Sequence, residues 1–581
     1  MYHLKNPEGL KGTVSNLNAF IHRDLDAGFS SKWSGIWRPE YKLLDYYAFR
    51  LNGIWLNSEN LEAVDYGEEI TYYFETGSLH VQENISAPEG LPGIESGLKI
   101  ENKSEKRKAI QIALEAGVDI RDRGTDVPDQ DYIVERDKSR VKVSGNKSLE
   151  ITSDQDLINT GEAYKKEHFP GERQECIIPG EITARIELEP SETRKIKFRF
   201  TSGKASSYRT DHQNNYLEGE LKRGFEASVQ SMENMIYDRE GLGVIAGHPW
   251  FQNFWARDSF WTLLGMIDAG YFREAEKILE NFAERGIPGK IGLEGDEKGY
   301  RIDTYPLYII AADKLRRHYK ITPEIEKGMK QAFEKLELEN NVVRHDPEGT
   351  WMDTLERPDA VDVQSLWLEA GKIMGKREKE LKEGLKKFVK EDQILDHLGE
   401  DPAQTINPSV PLMFGHTDSG LSKINAEFSS RFGARTRSVT DPGYDSSGYH
   451  TGSTWGLTTC WAAAANFQHG NTVEGLNFLE NFSKFLDRGQ PGALPEVLDS
   501  ENGENLGCFE QAWSAGMFVH VIDSYLLGID VTEDTIKIDP CEDYSGKRMN
   551  KRIGDSFIDI KVENGEAKIL NSPDLEREVL T

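Results

Sequence analysis

Residues 248–261, HPWFQNFWARDSFW, set three tryptophans and three phenylalanines around Arg257 and Asp258. Burying an unpaired charge among such neighbours is expensive. The two charges therefore hold either each other, as a structural ion pair, or a polar ligand. Three further clusters mix carboxylates with Trp and Tyr in the same way: GYRIDTYPLY (299–308), GTWMDTLERPDAVDVQSLWLEA (349–370), and the stretch from GYHTGSTWG (448–456) through GALPEVLDSENGENLGCFEQAWSAG (492–516). A sugar ring offers hydroxyls to bidentate polar groups and an apolar C–H face to an aromatic ring. Pocket walls that mix aromatic and polar groups meet both needs. Any single Trp beside an Asp reads more simply as a core edge with a satisfied carboxylate. Four such clusters in one half of the chain favour a binding site.

Cleaving a glycosidic bond requires two carboxyl groups, one protonated to release the leaving group and one ionised to act as base or nucleophile. Asp353 lies between Met352 and Thr354, next to Trp351. An apolar wall there would desolvate the ion and favour the acid form. Glu496 follows Pro495 in a Gly-rich stretch expected to be open to solvent, which suits a base addressing water. Spacing alone does not choose these two over Glu356, Asp359, Asp362 or Asp499. Asp353 could equally cap a helix, and Glu496 could be one of many surface acids.

The elements that must carry these clusters divide in two. The first two hundred residues read as β. EITARIELEP puts Ile182, Ala184, Ile186 and Leu188 on one face, and RKIKFRF does the same with Ile196, Phe198 and Phe200. ITYYFET, LHVQENI and AIQIALEAGVDI fit the same pattern, and many short strands in a row predict a sandwich. The stretch 202–215 is polar and weakly periodic, so the boundary falls there, with a β domain over 1–205. From about 216 the period becomes helical. REAEKILENFAERG places Ala275, Ile278, Leu279, Phe282 and Ala283 on one stripe, and TVEGLNFLENFSKFLDRG does so with Val473, Leu476, Leu479, Phe482 and Leu486. About ten helices, often paired, are predicted over 216–530, with long loops of the functional kind between them. Residues 531–581 return to β as an appendage, with a hairpin predicted around Asn564-Gly565.

Composition narrows the function. The chain has 581 residues, too many for one core, 37% of them hydrophobic. It has no run of eighteen apolar residues and no apolar leader, so neither a membrane span nor a signal peptide is expected, and a cytoplasmic protein follows. Its four cysteines show no CxxC spacing, which argues against a disulfide framework and a structural zinc site. A net charge of −29 would repel phosphates, so no nucleic-acid partner is expected.

The motifs together resemble those of a known family. HPWFQNFWARDSFW resembles the PWF…W-G-R-D signature of the glucosidase half of glycogen-debranching enzymes, with Ala256 where the family has Gly. TWMD, DVQSLWLEA (with Asp362 where Glu is usual), YHTGSTWG and LPEVLD…GCFEQAWSAG resemble its following segments. GIWRPEYKLLDYYAFRLNGIWL (35–56) resembles the N-terminal domain of its prokaryotic members. The resemblance implies a β-sandwich followed by an (α/α)6 barrel, and an inverting glucosidase acting on α-glucans without metal or organic cofactor. It implies Asp353 as general acid and Glu496 as general base. Arg257, Asp258 and Asp303 would contact sugar hydroxyls, with Trp250, Trp255, Trp351, His450, Trp455, Gln511 and Trp513 completing the substrate site. No separate glucanotransferase domain is expected from these motifs, and the scissile bond is expected to be either an α-1,6 stub or an α-1,4 link. A trehalase-like (α/α)6 glycosidase is the nearest rival. A phosphorylase would need a cationic phosphate site that the Glu496 region does not offer locally. A glucan-binding protein without turnover is the rival of another class.

Overall fold

The computed structural model describes residues 1–124, 131–168, 174–213, 216–293, 301–399, 402–571 and 577–580. Residues 299–300 of the GYRIDTYPLY cluster and 214–215 of the expected boundary lie outside the described residues. The chain divides into two compact units. One comprises residues 1–209 with 236–240 and 487–491; the other comprises 210–235, 241–486 and 492–581.

The first unit is antiparallel β. One sheet has nine strands, in the order 2–4, 61–66, 70–76, 79–86, 93–102, 193–201, 148–153, 140–144 and 133–137. The main path of a second, ten-stranded sheet runs 158–160, 181–188, 108–122, 41–51, 35–38, 20–24 and 11–15. Period-two alternation drives both. In Glu181–Leu188 the residues Ile182, Ala184, Ile186 and Leu188 are buried while Arg185 and Glu187 are exposed. Ile196, Phe198 and Phe200 are the buried positions of Thr193–Thr201. The inward faces of the two sheets share one core. Across it Phe49 meets Phe198 at 5.0 Å and Tyr47 stacks on Phe200 at 4.7 Å between ring centroids.

The second unit is mainly helical. In chain order its helices are α1 (Lys222–Asn234), α2 (Ala256–Ala269), α3 (Phe272–Glu284), α4 (Thr304–His318), α5 (Pro323–Phe333), α6 (Val361–Met374), α7 (Glu378–Leu385), α8 (Ser409–Met413), the single turn α9 (Leu421–Lys423), α10 (Gly456–Gln468), α11 (Thr472–Ser483) and α12 (Ala512–Val521). Every residue of α2 and of α12 is buried, as is nearly every residue of α10. Helices buried on every face are enclosed by protein. Accordingly α2 packs on α4, α4 on α6, α6 on α8, α8 on α10, α10 on α12, and α12 back on α2. The amphipathic helices pack outside this set: α1 on α12, α3 on α2 and α4, α5 on α3 and α4, α7 on α6, and α11 on α10. Glycines permit the α2–α12 contact. A Cβ on Gly265 would lie 1.9 Å from the Gly516 carbonyl oxygen.

Two expectations are corrected. The stripe on α11 runs through Gly475, Phe478, Leu479 and Phe482, while Val473 is 61% exposed. Gly475 sits where a Cβ would strike the Phe467 ring at 2.4 Å, so a residue without a side chain marks the packed face. The C-terminal residues 531–581 belong to the helical unit and are not a separate appendage. Arg548 and Lys551, both fully buried, anchor them. The Arg548 guanidinium donates to both Asp523 oxygens at 2.9 and 3.1 Å, and Lys551 Nζ donates to the Asp268 carbonyl at 2.8 Å and to Asp523 at 3.0 Å. Asp268 lies in the last turn of α2, and Asp523 follows α12. The hairpin pairs Ser556–Glu563 with Glu566–Ile569, and Asn564 (φ 50°) and Gly565 (φ 80°) are both left-handed, as a two-residue turn matching the strand twist requires. Among the described residues, no helix is long and apolar enough to cross a membrane.

Candidate active site

The four clusters meet because each precedes or opens an enclosed helix. Arg257 and Asp258 stand in the first turn of α2, Asp303 at the N-cap of α4, Asp353 ahead of α6, Tyr449 to Trp455 ahead of α10, and Glu496 to Trp513 ahead of and into α12. Short ladders pin the loops: Phe254–Trp255 pairs with Lys290–Ile291, Gly247–His248 with Glu510–Gln511, and Thr454–Trp455 with Val497–Leu498. The result is a cavity of about 340 Å³ lined by Ala246, Phe251, Trp255, Arg257, Asp258, Arg301, Trp351, Asp353, Tyr449, His450, Trp455, Glu496, Gln511 and Trp513. The larger cavity around Glu334 and Arg344, about 550 Å³, and the smaller one around Asp396 and Lys423 contain none of these residues.

Arg257 does not pair with its neighbour. Its guanidinium donates to Asp303 through two bonds, at 2.6 and 3.0 Å, within a fully enclosed setting. Asp303 is 2% exposed and does not line the cavity, so it holds Arg257 in place and is not positioned for the expected direct hydroxyl contact. Asp258 does line the cavity and accepts a hydrogen bond from Gln511 Nε2 at 3.1 Å. Burial pushes its carboxyl up to about 7 against the pull of Arg257, and the nearby Glu496 adds to the rise.

The surroundings of the two candidate carboxyls reverse the expectation. Glu496 is 1% exposed and not open to solvent. Its Oε1 accepts from the Tyr449 hydroxyl, and its Oε2 accepts from the Cys508 backbone N–H at 2.8 Å. Burial raises it to about 7, with both hydrogen bonds opposing the rise. Asp353 lacks the expected apolar wall. Its side chain is 42% exposed, with Arg301 Nη1 3.4 Å from Oδ2. The Trp351 indole N–H donates to Asn407 Oδ1 at 2.7 Å. The other carboxylates that spacing allowed do not line the cavity. Asp362 is spent on buried Arg357, Asp499 accepts the N–H groups of Glu501 and Asn502, Glu356 is exposed, and Asp359 is half-buried.

Aromatic rings form the rest of the wall. Trp455 stacks on His450 at 5.3 Å and meets Trp351 at 5.6 Å, Trp513 at 5.9 Å and Tyr449 at 4.6 Å. Burial, with Arg257 and Arg357, pushes His450 down to about 3, so the ring is neutral at physiological pH. Trp513 Nε1 and Gln511 Oε1 are buried in this wall with no partner among the described residues. They are one donor and one acceptor of the kind a ligand hydroxyl satisfies. Trp250 packs edge-on against Phe509 and is not among the lining residues, which corrects its expected role.

Sequence reasoning passed over four residues that matter here. Tyr449 and Phe251 stood inside quoted motifs, each one step from a residue that was singled out. Arg301 opens RIDTYPLY, and its guanidinium lies 4.6 Å over the Trp255 ring. Arg357 fixes Asp396 at 2.9 Å, Asp396 accepts from Asn407 at 2.8 Å, and Asn407 orients Trp351. Proximity of Arg357 to the TWMD motif was the available signal; the link to residues 396 and 407 required the fold.

The amylo-alpha-1,6-glucosidase family model matches residues 226–398, which include Arg257, Asp258, Asp303 and Asp353 but stop short of Glu496. No curated protein matches the chain. Among solved structures, a bacterial glucoamylase complexed with acarbose is similar at 12% identity and TM-score 0.58, over 90% of this chain and 94% of that one. A GH63 mannosylglycerate hydrolase from Thermus thermophilus aligns at 12% identity and TM-score 0.41, over 51% of this chain and 98% of that one. The chain has a glucoamylase-like fold, an antiparallel β domain with a helical region. It is a glycoside hydrolase whose helical unit carries a glucosidase domain of the debranching-enzyme type.

Proposed function

We propose that the protein is an inverting, exo-acting α-glucosidase that releases glucose from α-glucans, with the α-1,6 stub left by debranching as its preferred bond. The observation that carries this reading is the convergence of Asp353 and Glu496, from loops 143 residues apart in sequence, on one aromatic-walled cavity with Arg257 behind it. The helix order, with α2, α4, α6, α8, α10 and α12 each packed on the next, supports an (α/α)6 barrel, and the loops ahead of five of these helices, all but α8, supply the cavity lining.

A chain end enters with its terminal glucose against Trp455 and Trp351. Arg257, held by Asp303, and Asp258, held by Gln511, take hydroxyls. Asp353 donates a proton to the glycosidic oxygen as the bond breaks. In the empty pocket this carboxyl is open to water. The second sugar covers it and excludes water from the proton transfer. Glu496 removes a proton from water attacking the opposite face of the ring. A carboxyl near 7 is well matched to that task at neutral pH.

The test is glucose release, in parallel, from a glucan bearing single α-1,6 glucosyl stubs and from a linear maltooligosaccharide. Faster release from the stubs supports the reading. Faster release from linear chains makes the protein a glucoamylase on the same residues. Cleavage of trehalose alone makes it a trehalase. Binding without turnover removes the enzymatic reading.

A further inference from the structure

Glu496 is held from two sides, and only one of the two contacts is backbone. The Cys508 N–H donates to Oε2 at 2.8 Å, and the Tyr449 hydroxyl donates to Oε1. Tyr449 is itself fixed. Its carbonyl accepts from Trp455 Nε1 at 2.8 Å and from Ser453 Oγ at 2.7 Å, and its ring lies 4.7 Å from His450 and 4.6 Å from Trp455. A tyrosine needed only to fill the wall has no reason to aim its hydroxyl at the one carboxylate oxygen that the backbone leaves without a donor. We propose that Tyr449 is the positioning residue of the catalytic base, turning the Glu496 carboxylate toward the water and keeping it ionised while the site is dry.

This inference rests on the reading of Glu496 as the base. One donor per oxygen fixes the carboxylate plane and leaves the remaining lone pairs for a water in the cavity. A hydrogen bond to the charged form favours that form, so Tyr449 opposes the burial that disfavours it. Burial and the adjacent Glu496 push the phenol far up, so it remains a donor throughout the working range. The other titratable groups around the carboxylate do not supply this. Burial holds the Cys508 thiol neutral, Asp258 adds negative charge, and His450 is neutral. Arg257 is committed to Asp303, and Arg301 stands beside Asp353.

The experiment measures kcat and KM from pH 5 to 9 on the stub-bearing glucan for the wild type, Tyr449→Phe and Glu496→Gln. Loss of one charge-assisted hydrogen bond should move the acid limb of kcat up by about one pH unit. Then kcat of Tyr449→Phe falls about tenfold at pH 6 but recovers to within about threefold above pH 8.5, with KM nearly unchanged. Site-specific 3-fluorotyrosine at 449, a stronger donor with the ring kept, should move the limb the other way. A Tyr449→Phe profile that overlays the wild type, or falls by one factor at every pH with a raised KM, overturns the inference. Full activity of Glu496→Gln overturns instead the reading of the base.

Discussion

Glu496→Gln should stabilise the protein, and only at neutral and alkaline pH. The carboxyl stands near 7 in the folded chain and near 4.5 when exposed. Between these values the folded chain binds a proton that the unfolded chain releases, so stability falls as pH rises through that window, and the full cost is present above pH 7. Two and a half decades at 1.36 kcal/mol each put that cost at about 3 kcal/mol. Glutamine is uncharged at every pH and removes it. Against this gain, its amide N–H2 must face one of two donors, Tyr449 or the Cys508 N–H, which costs about 1 kcal/mol. The tyrosine hydroxyl can turn to accept, so the net gain at pH 8 is about 2–3 kcal/mol, shrinking to nothing or slightly below near pH 4.5. Calorimetric unfolding of wild type and variant at both pH values measures it. An equal difference at the two pH values, or a variant less stable at pH 8, would refute the claim that burial of this charge is costly. A variant that is more stable and inactive is the signature of a group kept for chemistry at the expense of stability.

Other outcomes follow from the same geometry. Asp303→Ala leaves the Arg257 guanidinium buried without its bidentate partner and should cost about 3–5 kcal/mol in denaturant unfolding as well as most activity. Asn407→Ala frees the Trp351 indole and should raise KM several-fold with a stability loss of about 1–3 kcal/mol. Arg548→Met strips Asp523 of two hydrogen bonds at the far ends of α2 and α12, and should lower the unfolding temperature while leaving KM unchanged. Because Glu496 must be ionised and Asp258 titrates beside it, the acid limb of the wild-type kcat/KM profile should rise through a midpoint near pH 7.

Patterns that need only one neighbour were legible in the sequence. Ile182 to Leu188 and Ile196 to Phe200 announced their sheets, and the polar punctuation between motifs announced loops. Side-chain identity around Arg257 already pointed to a sugar. Pairings across hundreds of residues were not legible. Nothing local distinguishes Asp303 as the partner of Arg257 from Asp258 next door, because the pairing depends on α2 and α4 lying side by side. The environments of Asp353 and Glu496 were misread for the same reason. Flanking Trp351 and Met352 suggested an apolar wall for Asp353, but both are buried while the Asp353 side chain is 42% exposed. Glycine and proline around Glu496 suggested exposure, but they let the strand pass close to Cys508. A Cβ on Gly507 would lie 2.5 Å from Glu496 Oε2. Val473 illustrates a smaller failure, in which a glycine on the packed face went uncounted by a rule that scores only apolar side chains.

The most direct test of the account is the anomeric form of the first glucose released from a stub-bearing α-glucan, followed by proton NMR before mutarotation. The account predicts β-glucose from the wild type and none from Asp353→Asn or Glu496→Gln. Release of α-glucose first, or undiminished release by either variant, would contradict it.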